Sequence, residues 1–132
     1  MKQHLLLALA LCATLPALAA DPILDLAEKD RPPAELRAAI ERVMKPESLR
    51  TGKAFYSEGP RFVWAVESDT PPDLIVDDVS RGRMKHIDGT RLWETAGQLE
   101  TGTVHSYYYR IDGKPFGGHL DFAAFRPESY GQ

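Results

Sequence analysis

The apolar positions of this chain change period once, near Lys53. Before that point Leu36, Ile40, Val43 and Met44 recur at helical spacing and make one stripe. Pro33 suits a first helical turn, where its missing N–H has no helical acceptor to lose, and Glu35 complements the positive end of the helix dipole. Glu41 and Lys45 form an i,i+4 pair, and Pro46 stops the helix. The pattern predicts one amphipathic helix over residues 33–46. Residues 21–32 are polar around a short apolar island, Ile23, Leu24 and Leu26, and read as a linker. From Lys53 the period is two. Short strands are predicted over 53–57, 61–67, 74–76, 83–87, 91–96, 104–111 and 114–116, the last of edge type because it contains Pro115. Gly59-Pro60, Pro71-Pro72, Asp88-Gly89 and Asp112-Gly113 separate them, and the last pair is a strong hairpin signal. Strands this short, with turn chemistry every 8–12 residues or so, argue for an all-β sandwich, here spanning 53–121. Residues 122–132 lose the alternation and read as a second linker.

Alternation also divides the aromatic residues. His105, Tyr107, Tyr109 and Ile111 share one face of their strand, which reads as core, while Val104, Ser106, Tyr108 and Arg110 share the other. Trp64, flanked by Phe62 and Val66 at two-residue spacing, reads as core as well. Trp93 lies between Leu92 and Glu94 and suits either a core or a surface position. The helical stripe has two readings too: it packs on its own sheet, or it docks on a neighbouring domain or subunit.

The first 20 residues stand apart from this pattern. Lys2 and His4 precede an apolar run from Leu5 to Leu15, and Ala17-Leu18-Ala19 supplies the small residues of a signal-peptidase site. The run is too short to span a bilayer, which takes about 20 residues. Residues 1–20 therefore read as a cleaved signal peptide, and the protein as secreted or periplasmic, with no membrane attachment afterwards. The single cysteine, Cys12, leaves with that segment, so no disulfide is expected and packing alone must hold the exported domain. Without Lys2 the 16 basic residues become 15 against 19 acidic ones, a net charge of −4 with histidine neutral. The charges are interspersed, which makes nucleic acid a poor partner.

Few residues offer chemistry. The serines expected in the mature chain are Ser48, Ser57, Ser68, Ser80, Ser106 and Ser129, and only Ser106 has a histidine neighbour. On a strand, His105 and Ser106 point to opposite faces, so the one cannot act as base for the other. No Gly-x-Ser-x-Gly occurs, and a serine nucleophile needs such an elbow as well as an oxyanion donor. His86, His105 and His119, with Asp121, match no common zinc spacing, and Asp73, Asp77 and Asp78 lack the ligand spacing of a calcium loop and read as a solvated strand end. No cofactor is expected. Exposed aromatic faces are the remaining candidates, because sugar C–H groups pack on them. Trp93, Tyr108 and Arg110 are the expected ligand or interface residues.

Phe62-x-Trp64, Met84, Leu92-Trp93 and Leu99-x-x-Gly102-x-x-x-x-Tyr107-x-Tyr109-x-x-Asp112-Gly113 together resemble an immunoglobulin-like early-set pattern. The pattern is similar to the N-terminal domain of secreted bacterial esterases related to enterochelin and feruloyl esterases, and more distantly to glycogen-binding-type carbohydrate modules. Pro127-x-Ser129-Tyr130 resembles the join where such esterases enter their α/β-hydrolase domain. The resemblance implies an immunoglobulin-like sandwich and a non-catalytic accessory role bordering a substrate cleft. The partner would be an α/β-hydrolase domain, and none of that domain's catalytic residues falls on this chain. A stand-alone carbohydrate-binding module and a residual esterase fragment are the alternatives.

Overall fold

The computed structural model describes residues 22–29 and 32–118. Three short helices, α1 (Pro22–Glu28), α2 (Pro33–Val43) and α3 (Pro46–Thr51), precede eight strands. Each helix opens on a proline, which presets φ and gives up only an N–H that no helical carbonyl would accept. α2 ends where Met44 turns extended (φ −119°, ψ 132°) ahead of Lys45-Pro46, and α3 ends on Gly52 in the left-handed region (φ 74°).

The strands are β1 (Phe55–Glu58), β2 (Arg61–Glu67), β3 (Asp73–Val76), β4 (Val79–Arg83), β5 (Lys85–His86), β6 (Leu92–Gln98), β7 (Tyr107–Ile111) and β8 (Lys114–Phe116). They form two antiparallel four-stranded sheets, ordered β1-β2-β6-β5 and β4-β3-β7-β8. The sheets face each other across an aromatic core, a sandwich arrangement. Phe62, Trp64 and Val66 of the first meet Leu74, Val76, Tyr107 and Tyr109 of the second, with Met84 and Leu99 at the margins. Phe62 stacks on Trp64 at 5.2 Å, and Tyr107 meets Tyr109 edge-on at 6.0 Å, the separations aromatic pairs prefer. The faces expected for Trp64, Tyr107 and Tyr109 are the observed ones.

The chain is therefore mostly β, with three helices in place of the single one expected. All three add to a second core on the outside of the first sheet. Leu36, Ala39, Ile40, Met44 and Leu49 pack there against Val63, Ala65, Ile87 and Leu92. Of the two readings of the α2 stripe, the chain's own sheet is the one found. β2 is consequently buried on both faces, which explains why Phe62 to Val66 runs apolar without a break.

Residues 21–32, expected as a linker, instead contain α1, with Ile23 and Leu24 fully buried. Seven residues are too few to show a helical period and too few to hold a helix alone. The wedge between α2 and the sheet supplies the missing stabilisation. Arg61 of β2 also bonds Asp25 at 3.0 Å and Glu28 at 2.9 Å. These contacts are solvent-screened, so Arg61→Gln is expected to cost only about 0–1 kcal/mol in a urea denaturation series. A larger loss would mean that charge, rather than the buried Ile23 and Leu24, holds α1.

The strand expected over 83–87 is two strands in different sheets. Gly82 (φ 85°) distorts the end of β4, where the β3 register slips, and the chain crosses at buried Met84 to begin β5. The strand expected from Val104 begins only at Tyr107. Asp112 and Gly113 take left-handed φ values of 52° and 79° in a two-residue hairpin, as expected. Residues 1–20, the tail 122–132, His119 and Asp121 lie outside the described residues. Among those described, no helix is long and apolar enough to cross a membrane.

Candidate functional site: a groove at one end of the sandwich

The β2–β3, β5–β6 and β7–β8 connections meet at one end of the sandwich. Two prolines, Pro71 and Pro72, keep the first connection out of either ladder. Ser68 shapes it: its hydroxyl donates to the Thr70 carbonyl at 2.7 Å and accepts the Thr70 N–H at 3.2 Å. Arg91, at the start of the neighbouring strand, donates to Asp69 at 2.7 Å and to Glu67 at 3.1 Å, while its carbonyl accepts the Ser68 N–H. Those two carboxylates hold the Arg91 guanidinium more firmly charged than usual. The loop is thus braced from both main chain and side chain.

A groove of about 500 Å³ runs beside it, between Ser68-Asp69-Thr70 and the β7–β8 hairpin residues Ile111, Asp112, Lys114, Pro115 and Phe116, with Arg50 of α3 at its edge. A second hollow of about 450 Å³ lies beyond the Arg91–Glu67 pair, between Thr90-Arg91-Leu92 and the residues Arg37, Glu41, Pro46 and Leu49. Glu67 and Arg91 line both, so the two hollows are neighbours separated by one ion pair. Polar groups of both signs around a small apolar floor suit a ligand that carries hydroxyls or mixed charge.

The residues expected to bind a ligand do not gather here. Trp93 is half-buried on the sandwich-facing side of β6, opposite Val66. Its Nε1–H donates to the Ser68 carbonyl at 2.9 Å, and its ring lies 4.6 Å from the His86 ring across the β5–β6 ladder. Trp93 therefore supports the groove loop from beneath. Tyr108 and Arg110 sit on the outer face of the second sheet, opposite Ile75 and Asp73 of β3. Tyr108 is half-buried and Arg110 exposed. The structure brings these two together, as alternation requires, and separates them from Trp93.

Two polar clusters escaped the sequence reading. In the first, Asp77 and Asp78 form the tight β3–β4 hairpin with φ of 52° and 65°, where a solvated strand end was expected. The Asp77 carboxylate accepts the Ser106 N–H at 2.9 Å and lies 2.6 Å from His105 Nδ1. The other ring nitrogen, Nε2, lies 2.8 Å from the Glu100 carbonyl and 3.1 Å from the Thr103 hydroxyl. Asp77 and His105 are 28 positions apart, so only the signal of a two-residue Asp-Asp connection between Val76 and Val79 was there to be read. In the second, Glu94 is only 1 % exposed between β6 and α1. Lys85, its ladder partner, approaches its carboxylate at 3.7 Å and donates to the Ala27 carbonyl at 3.1 Å.

Among the described residues no group of three or more His, Cys, Asp or Glu side chains is placed to hold a metal ion. His86 spends its Nε2 on the Thr90 carbonyl at 2.7 Å. Compared with family models, curated proteins and solved structures, the chain matches none of them.

Proposed function

We propose that this chain is an immunoglobulin-like, non-catalytic accessory domain of the early-set type, which borders the substrate cleft of a secreted α/β-hydrolase. One observation carries the reading: the strand order. Immunoglobulin-like sandwiches place strands one, two, five and four of their seven in one sheet and three, six and seven in the other. The orders β1-β2-β6-β5 and β3-β7-β8 follow that arrangement, with β4 as an added edge strand beside β3. Sandwiches of this kind present their connecting loops at their ends, and the groove between the β2–β3 and β7–β8 connections occupies such an end. The leader-like residues 1–20 and the esterase-like motifs support export and a hydrolase partner.

The test mixes the purified chain with a secreted esterase catalytic domain lacking its own N-terminal domain. The expected result is a lower KM for bulky esters at unchanged kcat, abolished by the paired substitutions Arg91→Ala and Lys114→Ala. Absence of both association and any KM change overturns the accessory role. A tryptophan-fluorescence change on titration with xylo-oligosaccharides, lost in the same paired variant, would install the carbohydrate-binding module instead. Ester turnover by the chain alone, above a Ser106→Ala control, would revive the esterase fragment.

A further inference from the structure

The His105 cluster lies among the β3–β4 and β6–β7 connections, and its geometry dictates a protonation state. Asp77 offers a carboxylate oxygen at 2.6 Å from Nδ1, and Glu100 offers a carbonyl oxygen at 2.8 Å from Nε2. Neither oxygen has a proton to give, so both ring nitrogens must donate. Only the imidazolium satisfies both contacts. The Thr103 hydroxyl, 3.1 Å from the same Nε2, is different: it can donate as well as accept. When Nε2 loses its proton, Thr103 can donate to it, while the Glu100 carbonyl then faces a lone pair and is repelled.

We propose that His105 is a proton-operated fastener of the Leu99–Ser106 connection, holding the Glu100 carbonyl when protonated and exchanging it for the Thr103 hydroxyl when neutral. This inference is independent of the groove and of the accessory role. At the ends of the connection Leu99 is buried with its N–H on the Pro60 carbonyl, and Ser106 exchanges bonds with Asp77 through its N–H and its carbonyl; between them residues 100–104 are exposed, and the Thr103 hydroxyl donates to the Glu100 carbonyl at 3.4 Å. The charged groups that face the ring are the Asp77 carboxylate from the β3–β4 hairpin and Glu100 from its own connection. Burial on its own would lower the His105 pKa. The Asp77 hydrogen bond, the Glu100 carbonyl and the two negative charges outweigh burial, and the net shift is upward from 6.5.

The direction of the pH effect follows. A histidine whose folded pKa is raised contributes stability that is complete below the unfolded pKa and lost as pH rises through the folded one. The connection is therefore fastened in acid and released in alkali. Between pH 6.5 and the raised folded value, its opening constant should climb with pH, by at most about tenfold per pH unit.

Long-range nitrogen–proton NMR of the histidine-labelled full chain, with hydrogen exchange corrected for intrinsic rates, tests this. At pH 6 both His105 nitrogens should carry protons, and its titration should fall above 6.5. Protection of the Leu99 and Ser106 amides should decay through that titration while β2 and β7 amides stay protected. Asp77→Asn should move the titration and the loss of protection together to lower pH. Thr103→Val, which removes the hydroxyl 3.1 Å from Nε2, should shift the titration and the loss of protection together, and Thr103→Ser should restore both. A single protonated nitrogen at pH 6, a titration at or below 6.5, or protection of Leu99 and Ser106 that ignores the titration would each overturn the proposal.

Discussion

Trp64→Ala is expected to cost about 3–5 kcal/mol, the range for emptying a large aromatic site in a core. Trp64 is fully buried, stacked on Phe62, and its ring covers Gly97 of neighbouring β6 on the sandwich-facing side. It stands where the two sheets meet, so no flexible segment can collapse into the void. A domain of this size has about 5–15 kcal/mol in all, and each kcal/mol lost lowers Tm by roughly 4–8 °C. Trp64→Phe should behave differently. The indole Nε1 has no hydrogen-bond partner among the described residues, and a buried N–H without one costs about 1–3 kcal/mol. Replacing it with a ring that has no donor offsets part of the lost volume, so the Phe variant should stay within about 1.5 kcal/mol of the parent. Guanidinium denaturation of the two variants checks both values. A loss below about 1 kcal/mol for Trp64→Ala would show that the inter-sheet core is not organised around this ring.

Gly117→Ala should rank second. Gly117 follows β8 with φ 71°, and a Cβ there would stand 2.7 Å from both the Cα and the carbonyl oxygen of Gly52 at the end of α3. Two backbones touch at this point, and the Gly118 N–H donates to that same Gly52 oxygen at 2.7 Å. The contact fastens the helical layer to the edge of the second sheet. An alanine would meet about 1–2 kcal/mol of left-handed strain and about 1–3 kcal/mol of overlap with atoms that cannot swing aside. Gly113→Ala isolates the first component, because its φ is 79° and nothing lies within 4 Å of its added Cβ. Thermal unfolding should therefore separate the two alanine variants clearly. Equal losses would mean that α3 and β8 do not meet backbone to backbone in solution.

How much of this was legible in the sequence varies by element. The strand that carries Tyr107 and Tyr109 and the Asp112-Gly113 turn were plain, since alternation ends on a pair that tolerates left-handed φ. α1 was invisible because three buried side chains in seven residues have no period of their own. The strand expected over 83–87 left out most of β4 and joined its end to β5, because the crossing at Gly82 and Met84 leaves no break in the local alternation. Of the expected ligand residues, Tyr108 and Arg110 were correctly placed on one face, yet alternation along β7 says nothing of where Trp93 on β6 must lie. His105 is buried as its face implied, but its bond to Asp77 was not legible, because that partner comes from the β3–β4 hairpin.

Alone, the sequence determined which faces are apolar, where the chain must turn and that Trp64, Tyr107 and Tyr109 belong inside. These are matters of side-chain transfer energy and local backbone freedom, and both act over a few residues. Tertiary structure alone decided that β2 is covered on both faces, that α1 exists, that three loops enclose a groove, and that one imidazole answers to two acceptors. Each of those depends on groups tens of residues apart, brought within hydrogen-bond or van der Waals reach by sheet pairing that no local pattern encodes.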